Sequence, residues 1–163
     1  MYNRGVKYSN LPVPKKIPFT KEGFEKNKKD NQILLEKRKE ILVRLQRARE
    51  MGDLSENGAY KAARFELSAT DRELRRLKYL LRFGVVTEKK NNERVDFGST
   101  VTVFDGKEKF IFTIVSGYES NPTSQKLSVE SPIGKALIGK RAGEKIFVNT
   151  PEGVNEYNIV KIE

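Results

Sequence analysis

An apolar seam near the middle of the chain constrains its fold more than any other sequence feature. From position 63 to position 81 apolar residues recur in alternating steps of four and three, the a/d pattern of a coiled coil. Charged side chains fill most of the other positions, so the pattern predicts an amphipathic helix that cannot bury its seam alone. The seam consists of Ala63, Leu67, Thr70, Leu74, Leu77 and Leu81.

A second amphipathic segment lies just upstream and supplies the partner helix. Thr20 suits an N-cap, and from there to Arg49 the chain contains no proline. Its apolar residues Leu34, Ile41 and Ala48 recur every seven positions. Because the connection to the next helix is short, the two helices should fold back as an antiparallel hairpin. About 30 residues at a rise of about 1.5 Å per residue make a rod of roughly 45 Å. The simplest explanation for that length is that the tip of the hairpin must reach a distant site.

The connection between the two predicted helices carries two carboxylates at the tip of the hairpin. It reads Met51-Gly52-Asp53-Leu54-Ser55-Glu56-Asn57. As a capping box, Asp53 would be the N-cap of the second helix and Glu56 its third residue. As half of a metal site, the same two carboxylates would hold a Mg²⁺ that keeps several waters and is shared with another molecule. A second metal beside an existing one can activate water for attack on a phosphodiester. Spacing alone leaves both interpretations open.

Basic residues surround the acidic tip on both helices. They could bind the phosphates of a nucleic-acid end, and the alternative is an ordinary solvated flank of a coiled coil. Tyr60 could stack on a base, but it also falls on the seam, where it would pack instead. The basic candidates are Arg44, Arg47, Arg49, Lys61 and Arg64.

Beyond Gly84, which fits a helix stop, the apolar period changes to two. Asp105-Gly106 is typical of a β-hairpin, and Ser131-Pro132 of the cap and first residue of a short helix. About five strands and one short helix predict a small α+β module.

The pattern divides the chain into four parts. An irregular N-terminal arm is predicted over 1–18 and a coiled-coil hairpin with an acidic tip over 19–83. A short first strand and a linker occupy 84–98, and the sheet domain occupies 99–163.

Composition excludes several classes of site. The formal net charge is +10, which favours polyanionic partners, although charge alone is also compatible with a generally basic surface. The chain has no Cys and no His, so thiolate and imidazole metal sites are excluded and carboxylate oxygens suited to Mg²⁺ remain. No apolar run reaches the roughly 20 residues of a membrane helix, and the N-terminus lacks an apolar signal region. We therefore expect a cytoplasmic protein without a membrane partner.

Three motifs, in order, resemble the signatures of the GreA/GreB transcript cleavage factors. The tip segment 48–57, followed by Tyr60 and by Ala62-Ala63-Arg64, resembles the coiled-coil tip of that family. Ile17-Pro18-Phe19-Thr20 resembles the family's start. The segments 131–140 and 150–153 resemble its C-terminal signatures. The resemblance runs from about residue 17 to the end.

The resemblance implies a bacterial factor that binds RNA polymerase as a monomer. In that family the coiled coil enters the secondary channel, and the two tip acids, here Asp53 and Glu56, help to hold the second catalytic Mg²⁺ and its attacking water. This Mg²⁺ would be held jointly with the polymerase and not bound stably by the factor alone. The polymerase then cleaves the RNA of a backtracked complex near its 3′ end, so the factor assists catalysis and is not itself an enzyme.

The resemblance also implies the role of the C-terminal half. In that family this half is an FKBP-like domain that docks on the polymerase rim, without any implied prolyl isomerase activity. The expected fold is therefore α+β in two domains: an antiparallel α-helical coiled-coil hairpin, then a small FKBP-like antiparallel sheet domain with one short helix. By position, the docking residues would be Glu130, Ser131, Pro132 and Ile133.

The chain departs from the family pattern at two places. Residues 1–16 are extra, and Gly58-Ala59 stands where the family usually has Ala-Glu, so one acid near the tip is missing. Gly58 should loosen the second helix by up to about 1 kcal/mol relative to Ala.

Two rival functions remain open at the level of sequence. One is a regulator that plugs the same channel and inhibits, and the other is a general RNA-binding coiled coil. The choice between GreA-like short and GreB-like long cleavage products is also open. An extended basic patch of the GreB kind could come from Lys61, Arg64, Arg72, Arg75 and Arg76.

Overall fold

The computed structural model describes residues 16–51, 57–88, 93–150 and 153–163. Strand β1 spans Ile17–Phe19, helix α1 Lys21–Glu50, helix α2 Gly58–Phe83 and strand β2 Gly84–Val86. The sheet of the C-terminal half then follows with β3 (Thr100–Phe104), β4 (Lys109–Val115), β5 (Lys126–Ser128), helix α3 (Pro132–Leu137), β6 (Lys145–Thr150) and β7 (Gly153–Ile162). The predicted α+β fold with a helical hairpin ahead of a small sheet is confirmed.

Helices α1 and α2 pack on each other along most of their length, as the two seams predict. Thr20 is the N-cap of α1 and accepts a hydrogen bond from the Gly23 N–H at 3.1 Å. The buried seam residues are Ile41, Leu45 and Ala48 of α1 and Ala63, Thr70, Leu74 and Leu77 of α2.

The seam prediction is wrong at its last position. Leu81 is half-buried, whereas Leu80 is only 1% exposed. Leu80, in the last turn of α2, packs in a cluster with Ile17 and Phe19 of β1 and Phe24 of α1, so the strand helps to set the buried face there. The buried position therefore shifts by one residue where β1 joins the packing.

The base of the hairpin carries a two-stranded sheet in which β1 and β2 pair in parallel. The predicted irregular arm 1–18 is therefore wrong for its last residues, because Ile17 and Pro18 pair with Gly84 and Val85. Phe19 is fully buried under this sheet. Residues 1–15 lie outside the described part of the chain.

The C-terminal half folds around a five-stranded sheet in the order β5-β4-β3-β7-β6. The β3–β4 hairpin turns at Asp105, as predicted. The Asp105 carboxylate accepts hydrogen bonds from the N–H groups of Glu108 and Lys107, which lower its pKa from the ordinary value. Helix α3 begins as predicted, with Ser131 as N-cap and Pro132 as first residue.

Two predictions for this half need correction. The expected antiparallel sheet contains one parallel pair, because β5 returns beside β4 through a 3₁₀ turn at Pro122–Ser124 and runs in the same direction. The predicted linker also ends early, since Val95 is 1% exposed within the core of the sheet domain and its N–H donates to Lys140 O at 2.8 Å. Among the described helices, none is long and apolar enough to span a membrane.

Candidate site at the tip of the helical hairpin

Asn57 closes the tip of the hairpin by bonding to both helices. Its Oδ1 accepts the Tyr60 N–H at 3.0 Å, which makes Asn57 the N-cap of α2. Its Nδ2 donates to the carbonyl oxygen of Ala48, in the last turn of α1, at 2.8 Å. The amide of an asparagine carries one acceptor and two donors, so a single side chain can satisfy both partners.

This geometry corrects the capping-box interpretation. The N-cap of α2 is Asn57, four residues after Asp53, so the prediction that Asp53 caps this helix is wrong. Asp53 and Glu56 themselves lie outside the described residues. Asparagine is among the preferred N-cap residues, and Asn57 stands directly before the first helical residue, so the sequence did contain a signal that favoured it.

The two ends of the connecting segment meet at one backbone atom. The Met51 N–H donates to the Ala48 carbonyl oxygen at 3.4 Å, and Asn57 donates to the same oxygen. Met51 and Asn57, which flank segment 52–56, are thus both bonded at the last turn of α1, about 30 residues from the base of the hairpin. The two tip acids therefore belong to a connection whose flanking residues are fixed to α1.

Arg44, the first of the predicted basic residues, is already engaged within the hairpin. It pairs with Glu66 of α2 at 2.5 Å, and Lys37 approaches the other carboxylate oxygen at 3.1 Å. Hydrogen bonds from Arg44, and then from Lys37, lower the pKa of Glu66 from its ordinary value. Arg44 is therefore engaged in an ion pair between the two helices, in which it shares the Glu66 carboxylate with Lys37.

The remaining basic residues lie on two flanks of the hairpin. Arg47 lines a shallow groove of about 320 Å³ together with Arg44, Ala59 and Ala62. Arg49 instead lies over the ring of Tyr60, 5.7 Å from its centroid. Arg64 follows Tyr60 by one helical turn and shares its face. The structure therefore does not gather the five predicted basic residues into one patch.

Lys61 and Arg64 are exposed and belong to no ion pair with an acid in the described part of the chain. Arg47 is also exposed and forms no ion pair with an acid among the described residues. Tyr60 is half-buried beneath Arg49, which favours the packing interpretation of this ring over base stacking. The flank formed by Arg49, Tyr60, Lys61 and Arg64 is called the Arg49 flank below.

The donor set for a metal is limited to carboxylates. Within residues 16–51, 57–88, 93–150 and 153–163, no cluster of three or more acids, Cys or His could hold a metal ion. The two acids of segment 52–56 offer hard oxygen donors of the kind that Mg²⁺ prefers, in a number that leaves positions for other ligands. The donor chemistry of the tip therefore fits a shared Mg²⁺.

The four predicted docking residues lie together where β5 leads into α3. Glu130 and Pro132 are exposed, whereas Ile133 packs on the sheet core. The Ser131 hydroxyl is used in local hydrogen bonds, because its Oγ donates to Ser128 O at 2.7 Å and accepts the Gly134 N–H at 3.0 Å. Glu130 also lines a groove of about 480 Å³ between the sheet domain and the base of the hairpin.

Comparison with known proteins agrees with this architecture. Residues 17–86 match the family described as "Transcription elongation factor, N-terminal", and residues 90–163 match "Transcription elongation factor, GreA/GreB, C-term". A protein named "Transcription elongation factor GreA" from Nautilia profundicola is 42% identical over 90% of this chain and 94% of its own length. This chain belongs to the GreA/GreB family of transcription elongation factors.

Two further known proteins are similar to this chain. The protein named "Transcription elongation factor GreA" from Geobacillus kaustophilus is 39% identical over 91% of this chain and 98% of its own length. Among solved structures, the GreA factor homolog 1 (Gfh1) protein of Thermus thermophilus is 29% identical, covers 91% of this chain and 99% of its own, and superposes with a TM-score of 0.45.

Proposed function

We propose that this GreA/GreB-family chain inserts the tip of its α1–α2 hairpin into the secondary channel of bacterial RNA polymerase and stimulates cleavage of backtracked RNA. The observation that carries the proposal is the pair of acids, Asp53 and Glu56, in the connection at the far end of a hairpin of this family. The cleaved complex would carry a new 3′ end and could resume synthesis.

The geometry around the tip supports this role. Asn57 fills the N-cap position of α2, so capping that helix does not require Asp53. Met51 and Asn57, the residues that flank segment 52–56, both donate to the carbonyl oxygen of Ala48, so the connection starts and ends at the last turn of α1. A long hairpin with an anchored end can carry two carboxylates into a narrow channel that a globular domain cannot enter.

The chemistry assigned to the tip is electrostatic. Asp53 and Glu56 would supply oxygen ligands to a Mg²⁺ whose other ligands come from the polymerase and the RNA. When bound, this ion supplies an activated water at the scissile phosphate. The chain has no His to serve as a conventional general base, and two carboxylates do not complete an octahedral shell. It therefore acts as an accessory factor of the polymerase.

The Arg49 flank is the better candidate for contact with the RNA. Arg44 is ion-paired with Glu66, whereas Lys61 and Arg64 have no acidic partner among the described residues. Arg49 is held in place by Tyr60. Positive groups at this flank would attract the phosphates of the extruded RNA 3′ segment and lower the charge repulsion around the tip acids.

The sheet domain would hold the factor on the polymerase rim. Glu130 and Pro132 are the exposed members of the predicted docking set, and we expect them to make direct contact. Ser131 and Ile133 would act indirectly, because one caps α3 and the other packs on the core. Substitution of Glu130 should therefore weaken binding to the polymerase without unfolding the domain.

The proposal is tested by RNA cleavage in stalled elongation complexes of bacterial RNA polymerase. The wild-type chain should shorten the RNA, while Asp53→Ala and Glu56→Ala should abolish stimulation and still compete with wild type for the polymerase. Glu108→Ala, which removes an exposed acid of the sheet domain, is the matched control and should behave as wild type. Full cleavage by the Asp53→Ala, Glu56→Ala double variant would refute the assignment.

The same assay separates the rival functions. Slowed synthesis without RNA shortening would identify an inhibitory plug of the channel. Tight binding to free RNA with a steep dependence on salt, in the absence of polymerase, would identify a general RNA-binding protein.

A further inference from the structure

A carboxylate of the sheet domain binds the first turn of the hairpin. Glu119 accepts the Thr20 N–H at 3.0 Å through Oε2 and the Thr20 hydroxyl through Oε1. The Ser116 hydroxyl also donates to Glu119 Oε2, at 3.4 Å. Thr20 is the N-cap of α1 and is 9% exposed. The hydrogen bonds between Thr20 and Glu119 therefore join the two halves of the chain at a position that is largely shielded from solvent.

The position of Glu119 is electrostatically favourable for α1. The amino end of a long helix carries partial positive charge, and a carboxylate placed there is stabilised. Thr20 relays the contact, because its Oγ accepts the Gly23 N–H while its hydroxyl donates to Glu119. The bonds in this arrangement are charge-assisted and therefore stronger than those between neutral groups.

Gly23 leaves the space that Glu119 occupies. A Cβ at position 23 would lie 1.7 Å from Glu119 Oε1, so any larger residue would displace the carboxylate. Glycine is otherwise a poor residue for the first turns of a helix. A second contact lies beside it, where the rings of Phe19 and Tyr118 stack with centroids 6.4 Å apart.

We propose that Glu119, with Thr20 and Gly23, is a latch that fixes the angle of the hairpin on the sheet domain and so positions the tip. The role in cleavage rests on the proposed function. Because the hairpin is roughly 45 Å long, a tilt of about 5° at its base moves the tip by about 4 Å. A misplacement of about 1 Å at a catalytic group can cost about 100-fold in rate. Glu119 is thus a positioning residue that never touches the RNA.

The first test measures the angle in the isolated full-length protein. The chain has no Cys, so spin labels can be attached at Ser68→Cys on α2 and Lys107→Cys on the sheet domain, which are both exposed. Distances between the labels are read by double electron–electron resonance. The latch predicts one narrow distribution in the otherwise wild-type protein and a shifted or broadened one in Glu119→Ala. Equal distributions would overturn the proposal.

Glycine substitutions supply a matched pair for the same measurement. Gly23→Ala should shift or broaden the distribution because it displaces Glu119. Gly58→Ala is the control, since it places the same methyl group in the first turn of α2, where it would meet no atom of another described segment within 4 Å.

A double variant shows whether Gly23 acts through Glu119. In the Glu119→Ala background, Gly23→Ala should cause no further change in distance and should raise the thermal midpoint, because alanine is the better helix former. A further loss of order in the double variant would overturn the link between the two residues.

The second test connects the latch to RNA cleavage. Glu119→Ala and Gly23→Ala should slow stimulated cleavage by about 10- to 100-fold at factor concentrations that saturate the polymerase, with Glu108→Ala as control. Altered distances with unchanged cleavage would overturn the positioning role while leaving the proposed function intact. Absence of cleavage with the wild-type chain would overturn the proposed function and the positioning role together, and the distance measurement would still decide whether the latch fixes the angle.

Discussion

Asn57→Ala should open the tip of the hairpin without unfolding the protein. The substitution removes the N-cap of α2, worth about 0.5–2 kcal/mol, and the bond to Ala48 O, worth about 0.5–1.5 kcal/mol. Together these give about 1–3.5 kcal/mol of local free energy, which corresponds to about 5- to 300-fold faster exchange of the Tyr60 amide hydrogen if that amide exchanges by local opening. Residue-resolved hydrogen exchange by NMR measures this directly.

Asn57→Asp separates the two bonds of Asn57. Aspartate can still accept the Tyr60 N–H and suits the positive end of α2, but it has no donor for Ala48 O. Exchange at Tyr60 should therefore stay close to wild type, while stimulated RNA cleavage should fall because the segment that carries the acids loses one anchor. If Tyr60 exchanged as fast in Asn57→Asp as in Asn57→Ala, or if Asn57→Ala matched wild type, the reasoning about the tip would be refuted.

Three further predictions concern the hairpin. Leu74→Glu places a carboxylate in the seam, at a position where the leucine is only 4% exposed, and should lower the free energy of unfolding by about 3–5 kcal/mol. Phe65→Glu, on the exposed face of the same helix, should change the free energy of unfolding by less than about 0.5 kcal/mol. Chemical denaturation checks both, and equal effects would contradict the seam. Because the pKa of Glu66 is lowered in the folded protein, its contribution to stability is present above the ordinary pKa of a glutamate and is lost as the pH falls through the folded value. Wild type should therefore lose more stability than Glu66→Gln on acidification, and parallel pH profiles would contradict the pairing with Arg44. Gly58→Ala should stabilise the protein by up to about 1 kcal/mol, because alanine is the better helix former and the new methyl group meets no other described segment within 4 Å. A lower denaturation midpoint would be inconsistent with that open space.

The helical hairpin and most of the sheet could be predicted from the sequence because their signals are local. The seam of α2 repeats over several turns, and Ser131-Pro132 and Asp105-Gly106 mark a helix start and a turn within a few residues. The family motifs then predicted the functional acids in the connection between the two long helices. Sequence reasoning failed at the end of α2, where β1 joins α1 as a packing partner and Leu80 is buried in place of Leu81.

Contacts between distant segments left no local signal. The strands β1 and β2 are three residues each and too short to show alternation, and their pairing joins positions far apart in the chain. The bond between Thr20 and Glu119 spans 99 residues, and no pattern around either residue indicates it. At the tip, the local sequence was compatible with either Asp53 or Asn57 as the N-cap of α2. Which of the two caps the helix depended on where α1 ends and α2 begins in three dimensions.

The dependence of RNA cleavage on Mg²⁺ tests the central claim most directly. Cleavage by stalled polymerase should be measured over a range of Mg²⁺ concentrations with no factor, with the wild-type chain and with Asp53→Asn or Glu56→Gln at saturating factor. If the two carboxylates complete a magnesium shell, wild type lowers the Mg²⁺ concentration for half-maximal cleavage and both variants return it to that of polymerase alone, with unchanged affinity for the polymerase. An equal shift by wild type and by the variants would contradict the account.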